Sequence, residues 1–156
     1  PLAAFGAKRA VMNHLAPLGS VYQAGTLSGN PVATACGLAT LAEISKPGFY
    51  EELSRKTKAL ISGLTQAAVA EGVAFCGDSE GGMMGFYLLP ELPQNYTQVM
   101  KTEGAKFNKL FHGLLDRGEY IAPALYEAGF VSNAHTDQDI ASTVAAARDI
   151  FKTLSK

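Results

Sequence analysis

Tryptophan is absent from this sequence, and cysteine occurs only twice, at Cys36 and Cys76. Two thiols in apolar surroundings make no disulfide framework of the kind that holds small secreted domains together, which points to a reducing, cytoplasmic setting. No run of about eighteen apolar residues occurs, so no membrane-spanning helix is expected. The sequence shows no signal-peptide pattern. Neither sign of charge dominates: the formal net charge is -1, which gives no electrostatic reason for binding nucleic acid or an anionic membrane. The three histidines, His14, His112 and His135, have no metal-ligand spacing among themselves or with the cysteines, so no metal site is expected. Internal repeats and low-complexity tracts are also missing.

What remains is the composition of a soluble globular chain. Of its 156 residues, 47% are hydrophobic and 17% charged, with 16 Gly and 7 Pro, enough to bury a real core. Leu2 to Phe5, following Pro1, reads as the edge of a strand. Lys8 to Leu15 reads as a short helix stopped near Pro17, and Val21 to Pro31 as a loop of small polar residues. Asn30-Pro31 is a helix start, because Asn caps and Pro suits the first helical position. The helix over 32–44 carries so little polar surface that burial is expected.

Phe49 to Glu71 is the clearest amphipathic helix, with Leu53, Leu60 and Leu64 at helical spacing. Val73 to Cys76 and Met83 to Leu89 read as strands joined by a turn over 77–82. Thr102 to Arg117 is a second amphipathic helix, with Phe107, Leu110, Phe111, Leu114 and Leu115 on its core side and Gly118 as cap. Strands are expected over 120–122 and 129–132. A last helix spans 137–154, with Thr136 as its cap and Asp137 and Asp139 favouring the dipole of the first turn.

The order from residue 46 onward predicts an α+β domain: helices over a small, mostly antiparallel sheet of about four strands. Residues 1–45 do not fit that pattern and read as the tail of a different, larger domain, leaving 46–156 as a small α+β domain. The start at Pro1, with no Met, reads as the start of a fragment.

The segment Gly25 to Pro31 is the most informative for chemistry. Glycines let a backbone approach a ligand closely, Thr26 and Ser28 offer hydroxyl donors, and a helix N-terminus follows with its N–H groups and positive dipole end. Such a combination can hold a phosphate, though an ordinary capped loop has the same composition. It is neither a P-loop, since no Gly-Lys-Ser/Thr follows, nor a dinucleotide fingerprint. Ser132, His135 and Asp137 lie too close in sequence to be taken for a triad, which geometry alone identifies; His135, before a helix cap, reads as structural.

The run VYQAGTLSGNP, residues 21–31, resembles a segment of the glutamate-1-semialdehyde aminomutases, within the class III aminotransferase group of fold-type I pyridoxal-phosphate (PLP) enzymes. The likeness continues at Leu38-Ala-Thr-Leu41, Lys46-Pro-Gly48, Gly82-Met-Met-Gly-Phe86, Ala122-Pro123, Glu127-Ala-Gly-Phe130 and Ala134-His-Thr136. The resemblance implies that Gly25 and Thr26 contact the PLP phosphate of a neighbouring subunit across a homodimer interface. It implies that Tyr22 lines the active site, where composition alone suggests a half-buried aromatic packing the loop. It places the Glu127 carboxylate in the active site too, where a lone glutamate is otherwise a solvated loop residue.

The resemblance also implies a large-domain tail over 1–45 carrying the phosphate loop. It implies a cofactor-bearing lysine a few residues before the point matching Pro1. Lys8, Lys46, Lys56, Lys58, Lys101, Lys106, Lys109, Lys152 and Lys156 match no such context and read as surface charges. The reaction implied is an isomerisation of (S)-4-amino-5-oxopentanoate to 5-aminolevulinate in tetrapyrrole synthesis, with the cofactor entering in its pyridoxamine form and leaving unchanged. This chain alone would be inactive. Two other readings stay open: another class III aminotransferase acting on ω- or β-amino acids, and a non-catalytic assembly module.

Overall fold

The computed structural model describes residues 2–154. Pro1, at the head of the expected strand edge, and Lys156, expected as a surface charge, lie outside that range. The chain divides into two compact units, the first ending at Pro47 and the second starting at Gly48.

In the first unit the expected strand over Leu2 to Phe5 does not form; these residues are exposed and without ladder partners among the described residues. A single turn of helix, α1 (Arg9–Met12), follows. Leu15 and Val21 then meet in an isolated parallel bridge. Helix α2 (Pro31–Ile44) begins as its sequence dictates: Asn30 accepts hydrogen bonds from the N–H groups of Val32 and Ala33 at 3.0 and 3.2 Å, and Pro31 takes the first turn. The expected burial of this helix does not occur. Ala33 is its one buried residue, and Val32, Leu38 and Leu41 are exposed. Its apolar residues are spread around the axis rather than gathered on one face, so no single contact within the unit could cover them.

The second unit is the α+β domain. Helix α3 (Phe49–Ala70) leads into β1 (Cys76–Glu80) and β2 (Met83–Tyr87). A short helix α4 (Tyr96–Val99), capped by Asn95, precedes α5 (Gly104–Leu115). Two residues of β3 (Gly129–Phe130) then join the sheet, and α6 (Asp137–Leu154) ends the described chain. The sheet is antiparallel throughout, in the order β1-β2-β3, with Cys76 opposite Tyr87 and Met84 opposite both Ser79 and Gly129.

The core lies where α3, α5 and α6 meet the sheet. Phe151 and Leu110 are 0% and 1% exposed. Phe75 stacks on Phe86 at 5.3 Å and meets Phe151 edge-on at 5.7 Å. Thr57, the fully buried polar side chain of α3, is satisfied by the Leu53 carbonyl at 2.8 Å, so it adds no unpaired group to the core.

Four expectations about this unit are corrected. The stretch 77–80 is strand, not turn, while Val73 to Phe75 falls outside the strand: Gly77, Asp78, Ser79 and Glu80 pair across to Phe86, Gly85, Met84 and Met83. Their polarity reflects a sheet edge with one wet face, and the turn shrinks to Gly81-Gly82, with Gly81 at φ +56. Residues 120–122 form no strand, leaving three strands among the described residues rather than four. Leu115 is 42% exposed, because it lies one position past the core stripe that ends at Leu114. The Lys56 side chain is only 11% exposed, lying 3.9 Å from Glu52, with its Nζ donating to the Asn133 carbonyl at 3.3 Å.

Helix α6 starts with a reciprocal cap. The Thr136 N–H and hydroxyl donate to Asp139 Oδ2 at 2.6 and 2.7 Å, while Asp139 N–H donates to Thr136 Oγ1 at 3.2 Å. The Thr136 backbone N–H, more than its hydroxyl, holds the Asp139 carboxyl below the usual carboxylate range. A depressed carboxylate contributes stability that is present above its unfolded-state pKa and lost as pH falls through the folded value. Asp139→Asn should therefore reduce stability at neutral pH and flatten its decline on acidification, measured by urea unfolding across that window; an unchanged slope would remove the cap from the account. Limited proteolysis should cut within 17–30, all but two of whose residues are exposed, well before it cuts within 50–150. Early cleavage throughout 50–150 with the first unit intact would contradict that ordering.

Candidate functional site

The residues singled out from the sequence fall in both units. Gly25 and Thr26 sit in one turn of the first unit, with Tyr22 just before them; Glu127 lies in the second unit.

The loop before α2 is two successive turns. Ser28 N–H donates to the Gly25 carbonyl at 3.0 Å, and Asn30 N–H to the Leu27 carbonyl at 3.1 Å, with Gly29 at φ +73. A methyl group on Gly25 would come within 2.7 Å of Ser28 Oγ, so a side chain there would turn the Ser28 hydroxyl aside. The structure corrects one part of the sequence reading. The helix N-terminus offers no free N–H in its first turn: Pro31 has none, and those of Val32 and Ala33 are taken by Asn30 Oδ1. The donors that remain belong to the turn itself. The N–H groups of Gly25 and Thr26, and the Thr26 hydroxyl, hydrogen bond to no other described residue. Three adjacent donors, with no carboxylate bonded to them and the dipole end of α2 nearby, form an arrangement that fits a phosphate. Tyr22 is 83% exposed rather than packing its loop.

Glu127 stands on a bend closed by its own N–H donating to the Ala124 carbonyl at 3.2 Å. Its carboxylate is exposed and makes no ion pair or hydrogen bond with another described residue. The bend separates two clefts of ≈ 450 and ≈ 380 Å³, and Glu127 lines both. The larger is floored by Leu60, Met84, Phe86 and Phe107, with polar groups at its rim. Two rim groups were not legible in the sequence. Thr143 Oγ1 donates to Glu119 Oε2 at 2.7 Å, a pairing between residues 24 apart that no local motif announces. His135 faces the same cleft, and the structural role expected for it is made by its ring: Nδ1 accepts the Ser132 N–H at 2.9 Å and lies 3.0 Å from Ser132 Oγ. Asp137 turns away to Arg55 at 2.6 Å, so Ser132, His135 and Asp137 form no triad.

No helix among the described residues is long and apolar enough to cross a membrane. Among the same residues no group of three or more His, Cys, Asp or Glu is arranged to hold a metal.

Residues 1–127 match the family model for aminotransferase class-III. Over all 156 residues the chain is 78% identical to a glutamate-1-semialdehyde 2,1-aminomutase of Albidiferax ferrireducens, and 73% identical to one of Verminephrobacter eiseniae. It spans 36% of the length of each. Among solved structures, a β-phenylalanine aminotransferase from Variovorax paradoxus superposes with a TM-score of 0.80 at 26% identity, over 92% of this chain and 33% of that one. A glutamate-1-semialdehyde aminomutase from Pseudomonas aeruginosa superposes with a TM-score of 0.72 at 20% identity, over 90% and 32% respectively, and shows the fold alone. The α+β unit and the match over 1–127 agree: the chain belongs to the class III aminotransferases, which are pyridoxal-phosphate enzymes.

Proposed function

We propose that this chain forms part of a glutamate-1-semialdehyde 2,1-aminomutase that isomerises (S)-4-amino-5-oxopentanoate to 5-aminolevulinate for tetrapyrrole synthesis. The observation that carries this reading is the identity of 78% and 73%, over the whole chain, with proteins of that name. The enzyme works as a homodimer in the cytoplasm, a setting that suits the free thiols of Cys36 and Cys76.

The residues divide the work between them. Gly25 and Thr26 hold the cofactor phosphate of the neighbouring subunit through two backbone N–H groups and one hydroxyl, while Asn30 keeps the turn fixed against α2 by capping it. When bound, the cofactor would supply an electron sink and, in its pyridoxamine form, an exchangeable amine. Tyr22 lines the wall of the substrate site and excludes water. Glu127 accepts hydrogen bonds from the ammonium groups of a substrate that carries nitrogen at two carbons in turn, which favours an aminomutase over an enzyme that draws on an external donor.

None of the described lysines is set up to carry the cofactor. Lys46, Lys106 and Lys152 are ion-paired at the surface, and the most covered, Lys56, is held by Glu52 and the Asn133 carbonyl. A lysine that forms a covalent link needs a desolvated site that frees its amine. Pyridoxal phosphate titrated into this chain should therefore leave no visible absorbance that survives gel filtration; a stoichiometric, retained band would overturn that assignment. In the full-length enzyme, Thr26→Ala removes one hydroxyl bond to a charged acceptor and should weaken cofactor retention by about 1.5–3 kcal/mol, read from the cofactor dissociation constant. An unchanged constant counts against the phosphate role. The full-length enzyme should form 5-aminolevulinate with no amino donor added, whereas dependence on an external donor would favour an ω- or β-amino acid aminotransferase.

A further inference from the structure

The segment that carries Glu127 is held by few bonds. Strand β3 shares only two residue pairs with β2, Met83 with Phe130 and Met84 with Gly129. Beyond the strand, Val131 N–H donates to the Gly82 carbonyl at 2.8 Å. The next donor along the chain, Ser132 N–H, finds no backbone acceptor. It donates instead to His135 Nδ1 at 2.9 Å, while the His135 N–H closes the same turn on the Ser132 carbonyl at 3.2 Å. A backbone N–H can only donate, so Nδ1 must accept, and the ring proton sits on Nε2. The ring lines the larger cleft together with Glu127.

We propose that His135 is a positioning residue: its neutral ring, through Nδ1, clamps the turn after β3 and so fixes the segment that presents Glu127, and it releases that turn when it takes up a proton. The proposal rests on the assignment of Glu127 to the substrate site. Histidine is the side chain that changes charge near neutral pH. Protonation converts Nδ1 from acceptor to donor, leaves Ser132 N–H without its partner and turns the ring's bond to the Ser132 carbonyl, 3.3 Å from Nδ1. Asp139 on α6, Glu119 and Glu127 line the same cleft as the ring. Arg55 and Lys56 from α3 grip the same turn at Asp137 and at the Asn133 carbonyl. Neither those two bonds nor the bond from Val131 N–H to Gly82 depends on the ring, so loss of the clamp frees the Ser132 amide while the start of α6 stays in place. Tyr120 also faces the cleft.

The test is NMR on this chain, with kinetics on the full-length enzyme. In the wild type the unprotonated nitrogen at pH 8 should be Nδ1. The Ser132 amide resonance should move, and its exchange protection fall about three- to tenfold, as pH drops from about 8 to about 5. His135→Asn places a non-titrating acceptor near the Nδ1 position and should hold the Ser132 amide steady over that range. His135→Ala should lose the protection at every pH. An unprotonated Nε2 overturns the proposal, as does a Ser132 amide that ignores the titration of the ring; both are read on the wild type, so a variant that fails to fold does not shield the idea. In the full-length enzyme the acid limb of kcat/KM should lose one ionisation in His135→Asn. An acid limb that this variant leaves unchanged overturns the positioning role. A full-length enzyme with no aminomutase activity at any pH overturns the functional reading instead, and leaves the amide measurements to decide the clamp.

Discussion

Everything in the second unit depends on how closely α6 lies against α3 and α5. A methyl group on Gly63 would sit 2.6 Å from Val144 Cγ2, and one on Gly113 would sit 2.9 Å from Ile150 Cγ1. Ala67, Ala68 and Ala147 are 0% exposed. Small residues on facing helices let the backbones approach, and the close approach brings Phe151 down onto Phe75 and the sheet. Phe86 and Phe107, which floor the larger cleft, belong to the same aromatic cluster. The cleft is thus one wall of the core, with a shape set by helix packing rather than by the loop above it.

Polar contacts contribute differently. The ion pairs are mostly exposed i,i+3 neighbours of the kind that adds little stability. The exception is the group around the turn after β3, where Arg55 bridges Glu52 and Asp137, Lys56 reaches Asn133, and Thr136 and Asp139 cap each other. The Arg55–Asp137 and Lys56–Asn133 contacts join residues 82 and 77 apart in the chain. Their effect is on register: they decide where the chain re-enters a helix after a strand too short to hold itself.

The starts of α2 and α6 were legible because each has a local cause, whereas α5 begins at Gly104 rather than Thr102, α1 is one turn rather than a helix to Leu15, and α4 was not expected. Asn30-Pro31 caps α2 and Thr136 and Asp139 cap α6, while α5 ends at Leu115 with Asp116 as its cap, before Gly118 turns the chain at a positive φ of 83. The core stripe of α5 was legible up to Leu114, and overshot at Leu115 because periodicity does not say where the neighbouring helix ends. Strands were less legible. Asp78, Ser79 and Glu80 look like a turn, and only pairing with β2 makes them a strand. The Tyr120 to Ala122 stretch has strand composition but no partner. Of the candidate site, the small, donor-rich character of residues 25–28 was visible, but not that Asn30 would take the helix N–H groups. Nothing local distinguishes Glu127 from any surface glutamate; only the family resemblance singled it out. The Glu119–Thr143 and His135–Ser132 contacts need tertiary geometry or a specific ring orientation, and neither is written in composition or spacing.

The Gly81-Gly82 turn looks like the most expendable part of the domain, a two-residue hairpin loop at the surface. Its second residue is a docking point. The Gly82 carbonyl receives Val131 N–H, and a side chain there would meet the Val131 carbonyl at 2.8 Å and Leu53 at 3.0 Å. Adding a single residue to this hairpin would move that carbonyl off the third strand, and with it the anchor of the segment that carries Glu127. The room for length variation lies instead in the mostly exposed stretch 90–95. A loop library, a tag insertion or a circular permutation belongs there, and the shortest loop in the sheet is the one to leave alone.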